Sequence, residues 1–258
     1  MTTTDRTPET TAAPSEVNLA TEGLSKSFGG VHAVDGASVQ FHHGKVNALI
    51  GPNGSGKTTF FNCVTGMIRP DAGSVSYRGR DLTNKASHRV ARAGIGRSFQ
   101  LCRVFPRMTV MENMLVAVRP GSLGRMLRSS QDRADTERAR ELLGRVGIDH
   151  LERAEARDLS YGQQKLLELA GVLMADPETI MLDEPAGGVN PALIDRIASL
   201  VRSLNAEGKT FIVVEHNMDL VMSLSDHVVV FDRGRQICEG PPSVVQNDPR
   251  VLEAYLGV

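Results

Sequence analysis

The fold is decided by a single stretch of sequence, which reads Val46-Asn47-Ala48-Leu49-Ile50-Gly51-Pro52-Asn53-Gly54-Ser55-Gly56-Lys57-Thr58-Thr59. An apolar segment, a glycine-rich turn and the first residues of a helix follow one another in it. The part from Gly51 to Thr58 fits the phosphate-loop pattern G-x-x-x-x-G-K-[ST]. Glycines allow backbone conformations that a side chain would block, so several N–H groups can point at one anion. The alternative is a glycine-rich turn ahead of an ordinary helix, but the strand before it and the helix behind it favour nucleotide binding.

Individual positions in this loop have different predicted roles. The helix that begins near Lys57 directs the positive end of its dipole at the bound phosphates. Lys57 would reach the β- and γ-phosphates as a point charge, and the Thr58 hydroxyl would help to hold Mg²⁺. The predicted nucleotide-binding residues of the loop are Gly51, Pro52, Asn53, Gly54, Ser55, Gly56, Lys57, Thr58 and Thr59.

Length and composition are typical of a soluble globular protein. The chain has 258 residues, enough for one large domain or two small ones. Its 41% of hydrophobic and 23% of charged residues are ordinary for a protein that buries a core. A formal net charge of −1 creates no overall field that would attract nucleic acid or an anionic membrane, so we predict no nucleic-acid partner.

Cysteine usage and the N-terminal residues bear on the compartment. Cys63, Cys102 and Cys238 are isolated, a spacing that suits neither a zinc site nor a disulfide framework and that favours buried thiols in a reducing compartment. No apolar run approaches the about 18 residues that span a bilayer. Residues 1–16 are rich in Thr, Pro and Ala and lack the apolar segment of a secretion signal, so we predict a disordered tail. We expect a cytosolic chain whose membrane association comes through a partner.

Hydrophobic periodicity predicts an α/β fold with a mostly parallel sheet. Residues 17–50 alternate between apolar and polar positions and predict an antiparallel β region, to which residues 69–82 return. Further strands are predicted over 95–100, 179–184, 211–216 and 228–231. Helices alternate with the apolar strands, and this alternation indicates a parallel sheet that is covered on both faces.

Residues 101–160 are predicted to form a helical insertion in this core. The apolar positions at helical spacing are Val110, Met114 and Leu115 for one helix and Ala139, Leu142, Leu143 and Val146 for the next. Charged residues cover the other face of the second helix. The intervening residues 119–133 are predicted to form a loop or a frayed helix.

Two further helix starts lie on either side of an acidic strand. One is Leu159-Ser160-Tyr161-Gly162-Gln163-Gln164, which opens a helix whose apolar face is Leu166, Leu169, Ala170 and Leu173. The other is Asn190-Pro191, which combines a favourable N-cap with proline at the first helical position.

Polar side chains follow the predicted parallel strands, where ligands of such sheets bind. Gln100, Asp183, Glu184 and His216 all occupy such positions. Asp183 can be held rigidly beside Thr58 and Mg²⁺, and Glu184, one residue further on, suits a base that polarises the attacking water. The alternative is a pair of acids that caps the next helix. A histidine after a strand is usually structural, so His216 as a γ-phosphate contact needs further support.

That support comes from a resemblance. Taken in their order and spacing, Gly51–Thr58, Gln100, Leu159–Gln163, Ile180–Glu184 and His216 resemble the ATP-binding subunit of ABC transporters. The similarity covers about residues 17–258. It implies an ATPase with a P-loop NTPase, RecA-like core over 17–100 and 165–258 and a helical subdomain over 101–164. It also implies ATP and Mg²⁺ as ligands and His216 as a γ-phosphate contact.

The resemblance assigns further residues. Phe28 matches the aromatic residue that stacks on adenine, although a core residue of an edge strand is the alternative. Gln100 matches the glutamine that links Mg²⁺ and water to the helical subdomain. Ser160 and Gly162 match the residues that contact the γ-phosphate bound by the opposite subunit. Tyr161 stands where that stretch usually has its first glycine, and the usual aspartate is replaced by Asn190, which puts a cross-dimer contact in question.

Longer motifs are similar to one group within the family. They are Arg97-Ser98-Phe99-Gln100, Met108-Thr109-Val110-Met111-Glu112-Asn113, the segment from Glu184 to Pro191, and Glu253-Ala254-Tyr255-Leu256-Gly257. The group contains ATPases of branched-chain amino-acid importers, with urea and short-chain amide importers as close relatives. Lipopolysaccharide-export ATPases share the Tyr-Leu-Gly ending, so a lipid or glycan exporter is the second possibility.

The resemblance also implies partners and a mechanism. The partners are transmembrane permease subunits, a second ATP-binding subunit that is identical or paralogous, and indirectly an extracytoplasmic substrate-binding protein. The chain would lie at the cytoplasmic face of the cell (inner) membrane, with a groove within 101–118 facing the permease. Two alternatives remain: a soluble ABC-type ATPase, although the chain lacks a long coiled coil and a tandem unit, and a non-catalytic nucleotide sensor, against which the intact Asp183, Glu184 and His216 argue.

Overall fold

The computed structural model of the chain describes residues 17–98, 104–118 and 133–256. The predicted tail over 1–16, together with Gln100, Cys102 and nearly all of the predicted loop over 119–133, lies outside the described residues.

Strands alternate with helices along most of the chain. The strands are β1 (Val17–Phe28), β2 (Val31–Ala37), β3 (Gln40–His42), β4 (Val46–Ile50), β5 (Ala72–Tyr77), β6 (Arg80–Asp81), β7 (Ile95–Arg97), β8 (Thr179–Asp183), β9 (Thr210–Val214), β10 (His227–Asp232) and β11 (Arg235–Gly240). The helices are α1 (Lys57–Val64), α2 (Ser87–Ala93), α3 (Val110–Val116), α4 (Arg133–Val146), α5 (Tyr161–Met174), α6 (Pro191–Ala206), α7 (Met218–Leu224), α8 (Pro242–Val245) and α9 (Pro249–Leu256).

The first sheet confirms the predicted antiparallel β region. Its strands run in the order β2-β1-β5-β6, and β3 also pairs with β1. Leu19 and Leu24 of β1 are buried together with Phe60 and Phe61 of α1. One face of this sheet therefore packs on the helix that follows the phosphate loop.

The second sheet is mostly parallel, as predicted. Its order is β11-β10-β4-β9-β8-β7, and every neighbouring pair is parallel except β10 with β11. All residues of β4, β8 and β9 are buried, because helices and the first sheet cover both faces. The carboxyl ends of these three neighbouring strands therefore meet at one edge of the sheet.

The helical block between β7 and β8 is also confirmed. Helices α3, α4 and α5 pack on one another through the predicted apolar positions of α3 and α4, all buried except Leu115. Thr109 and Glu112 form a reciprocal capping box that fixes the start of α3. The proposed border between residues 164 and 165 falls inside α5, whose side chains share one core with the strands.

Several short elements were not predicted. Helices α2, α7 and α8 have four to seven residues, too few for a clear hydrophobic period. Strand β11 reads Arg-Gln-Ile-Cys-Glu-Gly, in which neither alternation nor an apolar run stands out. Cys63 and Cys238 are buried free thiols, as predicted. Within the described ranges, no helix is both long enough and apolar enough to cross a bilayer.

Candidate functional site

The phosphate loop connects β4 to α1, as its sequence predicts. Gly51 and Gly56 both have positive φ angles, at 150° and 100°. A Cβ atom at Gly51 would collide with the carbonyl oxygen of Phe231, and one at Gly56 would collide with that of Ala33. Neighbouring strands thus approach the loop so closely that only glycine fits at these two positions.

Lys57 is buried inside this loop. Its Nζ donates to the carbonyl oxygens of Gly51 at 2.8 Å and Pro52 at 3.0 Å, and it lies 3.4 Å from Ser55 Oγ. Burial lowers the pKa of the Lys57 ammonium, while the nearby carboxylates of Glu184 and Asp183 act in the opposite direction. The ammonium is therefore held where phosphates would enter the loop, within the field of both acids.

The N-terminus of α1 offers backbone N–H groups that can bind an anion. Gly56 is the N-cap residue, and no side chain accepts a hydrogen bond from the first turn. The first N–H groups of a helix have no partner within the helix, and a bound phosphate can accept from them. Thr58 is exposed in this first turn.

Asp183 ends β8 at the same edge of the sheet. Its Oδ2 accepts from an Arg97 guanidinium nitrogen at 2.8 Å, whereas its buried Oδ1 has no hydrogen-bond partner within the described residues. Burial raises the pKa of the Asp183 carboxyl, and the Arg97 guanidinium opposes this rise. A buried carboxylate oxygen without a partner is a suitable ligand for Mg²⁺, which prefers oxygen donors.

Arg97 is a site residue whose role the sequence did not reveal. Besides Asp183, its guanidinium donates to Asn62 Oδ1 at 2.8 Å and Thr65 Oγ1 at 2.7 Å, and it lies 5.3 Å from the centre of the Phe61 ring. It joins the far end of α1 to the acidic strand. The signal that could have found it is a basic residue at the end of a strand parallel to the one that ends in Asp183.

Glu184 follows Asp183 in an unusual backbone conformation. Its φ angle is 49°, in the left-handed region, which costs a residue other than glycine about 1–3 kcal/mol. Its N–H donates to Val214 O at 2.9 Å, and its carbonyl oxygen accepts from Lys165 Nζ at 3.1 Å. The start of α6 is capped by the Asn190 side chain, which accepts from Leu193 N at 2.9 Å. The two acids therefore do not cap that helix, and this alternative is wrong.

His216 lies two residues beyond the end of β9, the strand next to β8. Its ring is more than half exposed, at the sheet edge to which Asp183 belongs. The preceding Glu215 is fully buried. Gln100, predicted at the same edge, lies outside the described residues.

The signature stretch opens α5, as predicted. Ser160 is exposed and caps the helix: its Oγ accepts from Gln163 N, and Gln163 Oε1 accepts from Ser160 N. A Cβ atom at Gly162 would come within 2.7 Å of a Leu193 methyl group, so this glycine lets α5 pack closely against α6. Tyr161 is exposed beside them. Among the described residues, no hydrogen bond joins Ser160 or Gly162 to the phosphate loop of the same chain.

Phe28 ends β1 with a ring that is 48% exposed. Lys26 Nζ lies 5.4 Å from the ring centre. The alternative that Phe28 is a core residue of an edge strand is therefore wrong, because about half of the residue is exposed.

Tyr255 of α9 reaches the phosphate loop from the C-terminal side. Its hydroxyl lies within hydrogen-bond reach of the Gly51 backbone, and burial raises its pKa to about 12. The sequence marked this residue only as part of a family motif.

A groove lies between α3 and α5, and we call it the α3–α5 groove. Its volume is about 240 Å³, and its lining residues are Arg97, Val104, Phe105, Asn113, Val116, Ala117, Leu167, Glu168, Gly171 and Val172. Phe105 and Val116 are apolar side chains that are more than half exposed there. The Asn113 side chain bonds both backbone groups of Phe105, at 2.7 and 3.1 Å, and fixes one wall.

Comparisons with known proteins agree with this geometry. Residues 34–187 match the family model described as ABC transporter, and residues 235–258 match the one described as branched-chain amino acid ATP-binding cassette transporter. A probable branched-chain amino acid transport ATP-binding protein LivG of Archaeoglobus fulgidus is 40% identical, over 93% of this chain and 95% of its own. The high-affinity branched-chain amino acid transport ATP-binding proteins BraF of Pseudomonas aeruginosa and LivG of Escherichia coli are 38% and 39% identical, each over 93% of this chain and 97% of its own.

Solved structures show the same fold. A nucleotide-free ATP-binding cassette from an ABC transporter superposes with a TM-score of 0.83 at 37% identity, covering 94% of this chain and 100% of that one. The ADP conformation of another ATP-binding cassette of an ABC transporter gives a TM-score of 0.82 at 36% identity, covering 94% of this chain and 99% of that one. The predicted α/β P-loop NTPase fold is confirmed.

Proposed function

Since this chain belongs to the ABC transporter family, we propose that it is the ATP-hydrolysing subunit of a transporter that imports branched-chain or other hydrophobic amino acids. The printed names of its relatives support this cargo, as does the match of its C-terminal segment. A urea or amide importer and a lipid or lipopolysaccharide exporter rest on shared motifs alone, and the relatives favour neither.

The observation that carries the proposal is the convergence of Lys57, Asp183 and Glu184 at one edge of the sheet. Lys57 follows the loop after β4, the two acids stand at the end of β8, and both strands pair in parallel with β9. Both carboxylates also oppose the lowering of the Lys57 pKa by burial. A phosphate loop, a buried acid and a second acid one residue further on supply the charge neutralisation and the base that phosphoryl transfer to water needs.

Nucleotide binding replaces contacts that the loop makes with itself. Lys57 exchanges the carbonyl oxygens of Gly51 and Pro52 for phosphate oxygens, and N–H groups of the loop and of α1 donate to the same phosphates. A hydrogen bond to a charged group contributes about 1.5–3 kcal/mol. The exposed ring of Phe28 stacks on the adenine. The remaining nucleotide contacts assigned to residues 51–59 follow the loop pattern.

Magnesium has a donor set of the right chemistry. The Oδ1 atom of Asp183, the hydroxyl of Thr58 and the side chain of Gln100 would hold the ion, which neutralises phosphate charge when bound. The buried Oδ1 without a partner supports this assignment.

Hydrolysis needs a proton acceptor and an oriented γ-phosphate. Glu184 takes a proton from the attacking water while the water oxygen bonds to the γ-phosphorus. The bond from that phosphorus to the bridging oxygen breaks, and ADP and phosphate leave. His216 contacts the γ-phosphate from the neighbouring strand end. The constraints on the backbone of Glu184 support a base with a fixed direction.

A second ATP-binding subunit, identical or paralogous, completes the site. The exposed start of α5 brings Ser160 and Gly162 to the surface, where they would contact the γ-phosphate held by the opposite subunit. Asn190 caps α6 through its side-chain oxygen, a role that aspartate fills equally well, so the departure at this position leaves the helix start intact.

Permease subunits and an extracytoplasmic substrate-binding protein complete the transporter. The exposed apolar side chains of the α3–α5 groove, Phe105 and Val116, lie in the predicted segment 101–118 and would contact a short helix of a permease. The chain would then sit at the cytoplasmic face of the cell (inner) membrane without spanning it. We propose a RecA-like core (17–100 and 165–258) and a helical subdomain (101–164), with α5 running from one into the other.

The test is transport by the complex in proteoliposomes. ATP on the side of this subunit should drive uptake of labelled leucine when the binding protein is supplied on the other side, and labelled urea should not be taken up. The Glu184→Gln complex is the matched control for uptake without turnover. ATP hydrolysis without leucine uptake would contradict the cargo, and a wild-type complex that hydrolyses no ATP would contradict the catalytic role.

A further inference from the structure

Glu215 is a fully buried carboxylate whose two oxygens bond to two different loops. It is 0% exposed. Its Oε1 accepts from Ala186 N at 2.7 Å, and its Oε2 accepts from His216 N at 3.0 Å and Asn217 N at 3.2 Å. Its Oε2 also lies 3.9 Å from Nδ1 of the His216 ring.

The two loops that it joins carry the proposed base, Glu184, and the proposed γ-phosphate contact, His216. Ala186 lies two residues after Glu184, in the loop that follows β8, whereas His216 and Asn217 follow β9. These strands are parallel neighbours in which Asp183 pairs with Val214. The carboxylate therefore lies between the two loops, directly beyond the paired strand ends.

A buried charge is retained at a cost. Transfer of a carboxylate from water into a protein interior is strongly unfavourable unless hydrogen bonds compensate for it. Three backbone N–H groups supply that compensation here, and all three belong to loop residues outside the ladder of β8 and β9. Both oxygens are needed as acceptors, and an amide has only one.

We propose that Glu215 is a positioning residue for ATP hydrolysis, which fixes the Glu184 loop relative to the His216 loop so that both groups meet one γ-phosphate. This inference rests on the proposed roles of Glu184 and His216. Glu215 lies beneath the reacting groups, so it affects the rate through the relative placement of these two loops.

The Glu215→Gln variant separates positioning from binding. Glutamine has the size and shape of glutamate, but its NH₂ group cannot accept a hydrogen bond. The backbone N–H groups of one of the two loops therefore lose their acceptor. In the purified transport complex, we expect kcat to fall about tenfold to a hundredfold, the equivalent of one hydrogen bond to a charged group. We expect KM and the Kd for ATP to stay within about threefold, because Lys57 and the phosphate loop are untouched. Glu22→Gln, at an exposed position of β1, is the matched control and should behave as wild type.

Three results would overturn the proposal. One is a wild-type kcat in Glu215→Gln. Another is a change in KM and Kd with kcat unchanged. The last is an undiminished effect of Glu215→Gln on the His216→Ala background, since a residue that acts through His216 loses most of its effect there. If Glu215→Gln does not fold, Glu215→Asp keeps the charge but is too short for both loops, and it should show the same loss of kcat at unchanged KM.

The same assay distinguishes this proposal from the proposed function. Ordinary hydrolysis by Glu184→Gln would refute Glu184 as the base. Ordinary hydrolysis by Glu215→Gln, together with an inactive Glu184→Gln, would refute the positioning role and leave the base in place.

Discussion

Replacing Arg97 by methionine should destabilise the nucleotide-free protein. Its ion pair with Asp183 is almost fully buried, with side chains 9% and 2% exposed. Removing one partner of a buried pair leaves an uncompensated charge and costs about 3–5 kcal/mol. The carboxyl can instead take up a proton, which costs about 4 kcal/mol at pH 7 for a group with an ordinary pKa near 3.9. We therefore expect a loss of about 3–4 kcal/mol in the free energy of unfolding.

Urea denaturation of the purified subunit at pH 7 measures this loss. Asp183→Asn in the same chain removes the uncompensated charge, so the double variant should recover about 2 kcal/mol or more relative to additivity. Arg235→Met is the matched control, because the Arg235 side chain is 71% exposed in its ion pair with Asp35 and exposed pairs contribute about 0–1 kcal/mol. A loss below about 1 kcal/mol in Arg97→Met, or strict additivity with Asp183→Asn, would refute the reasoning.

Three further predictions follow from the site and the core. Glu184→Gln should bind ATP as wild type, lower phosphate release about 10²- to 10⁴-fold and favour a closed dimer on size-exclusion chromatography; normal phosphate release would exclude Glu184 as the base. Lys57→Ala should raise the Kd for ATP about tenfold or more in equilibrium binding, since it removes charged hydrogen bonds, and an unchanged Kd would place the nucleotide elsewhere. Burial lowers the pKa of His227, with His42 acting in the same direction and Glu239 against it. The folded state therefore resists protonation, and as pH falls below about 6.5 stability should drop by up to about 1.4 kcal/mol per pH unit, less in His227→Gln; equal urea titrations at pH 7.5 and 5.5 would contradict this.

The sequence predicts those site residues whose position depends on their neighbours in the sequence. The phosphate loop needs glycine at Gly51 and Gly56 because neighbouring strands approach there, and the pattern carries this need in its spacing. Asp183 follows three consecutive apolar residues of β8, so its place at the sheet edge is fixed once the sheet is parallel. Asn190 was likewise predictable, because an N-cap side chain bonds to a backbone N–H only three residues further on.

Contacts between distant parts of the chain could not be predicted in this way. Arg97 and Glu215 look like solvated charges at strand ends, and their burial depends on which strands become neighbours. Tyr255 reaches Gly51 because α9 packs beside β11, a strand whose sequence gives no clear pattern. Hydrophobic periodicity in a single sequence shows whether a segment is a helix or a strand, but it does not show which other segment packs against it.

The N-cap of α5 is the exposed Ser160. Five residues later, the buried Lys165 donates a hydrogen bond from its ammonium to the carbonyl oxygen of Glu184. A rise of 1.5 Å per residue puts these two positions about 7.5 Å apart along the helix axis. A tilt of α5 would therefore move the backbone of Glu184, the proposed base. Binding of a second subunit at the start of α5 and the placement of Glu184 would then be coupled through this helix. A subunit without its partner should therefore hydrolyse ATP slowly.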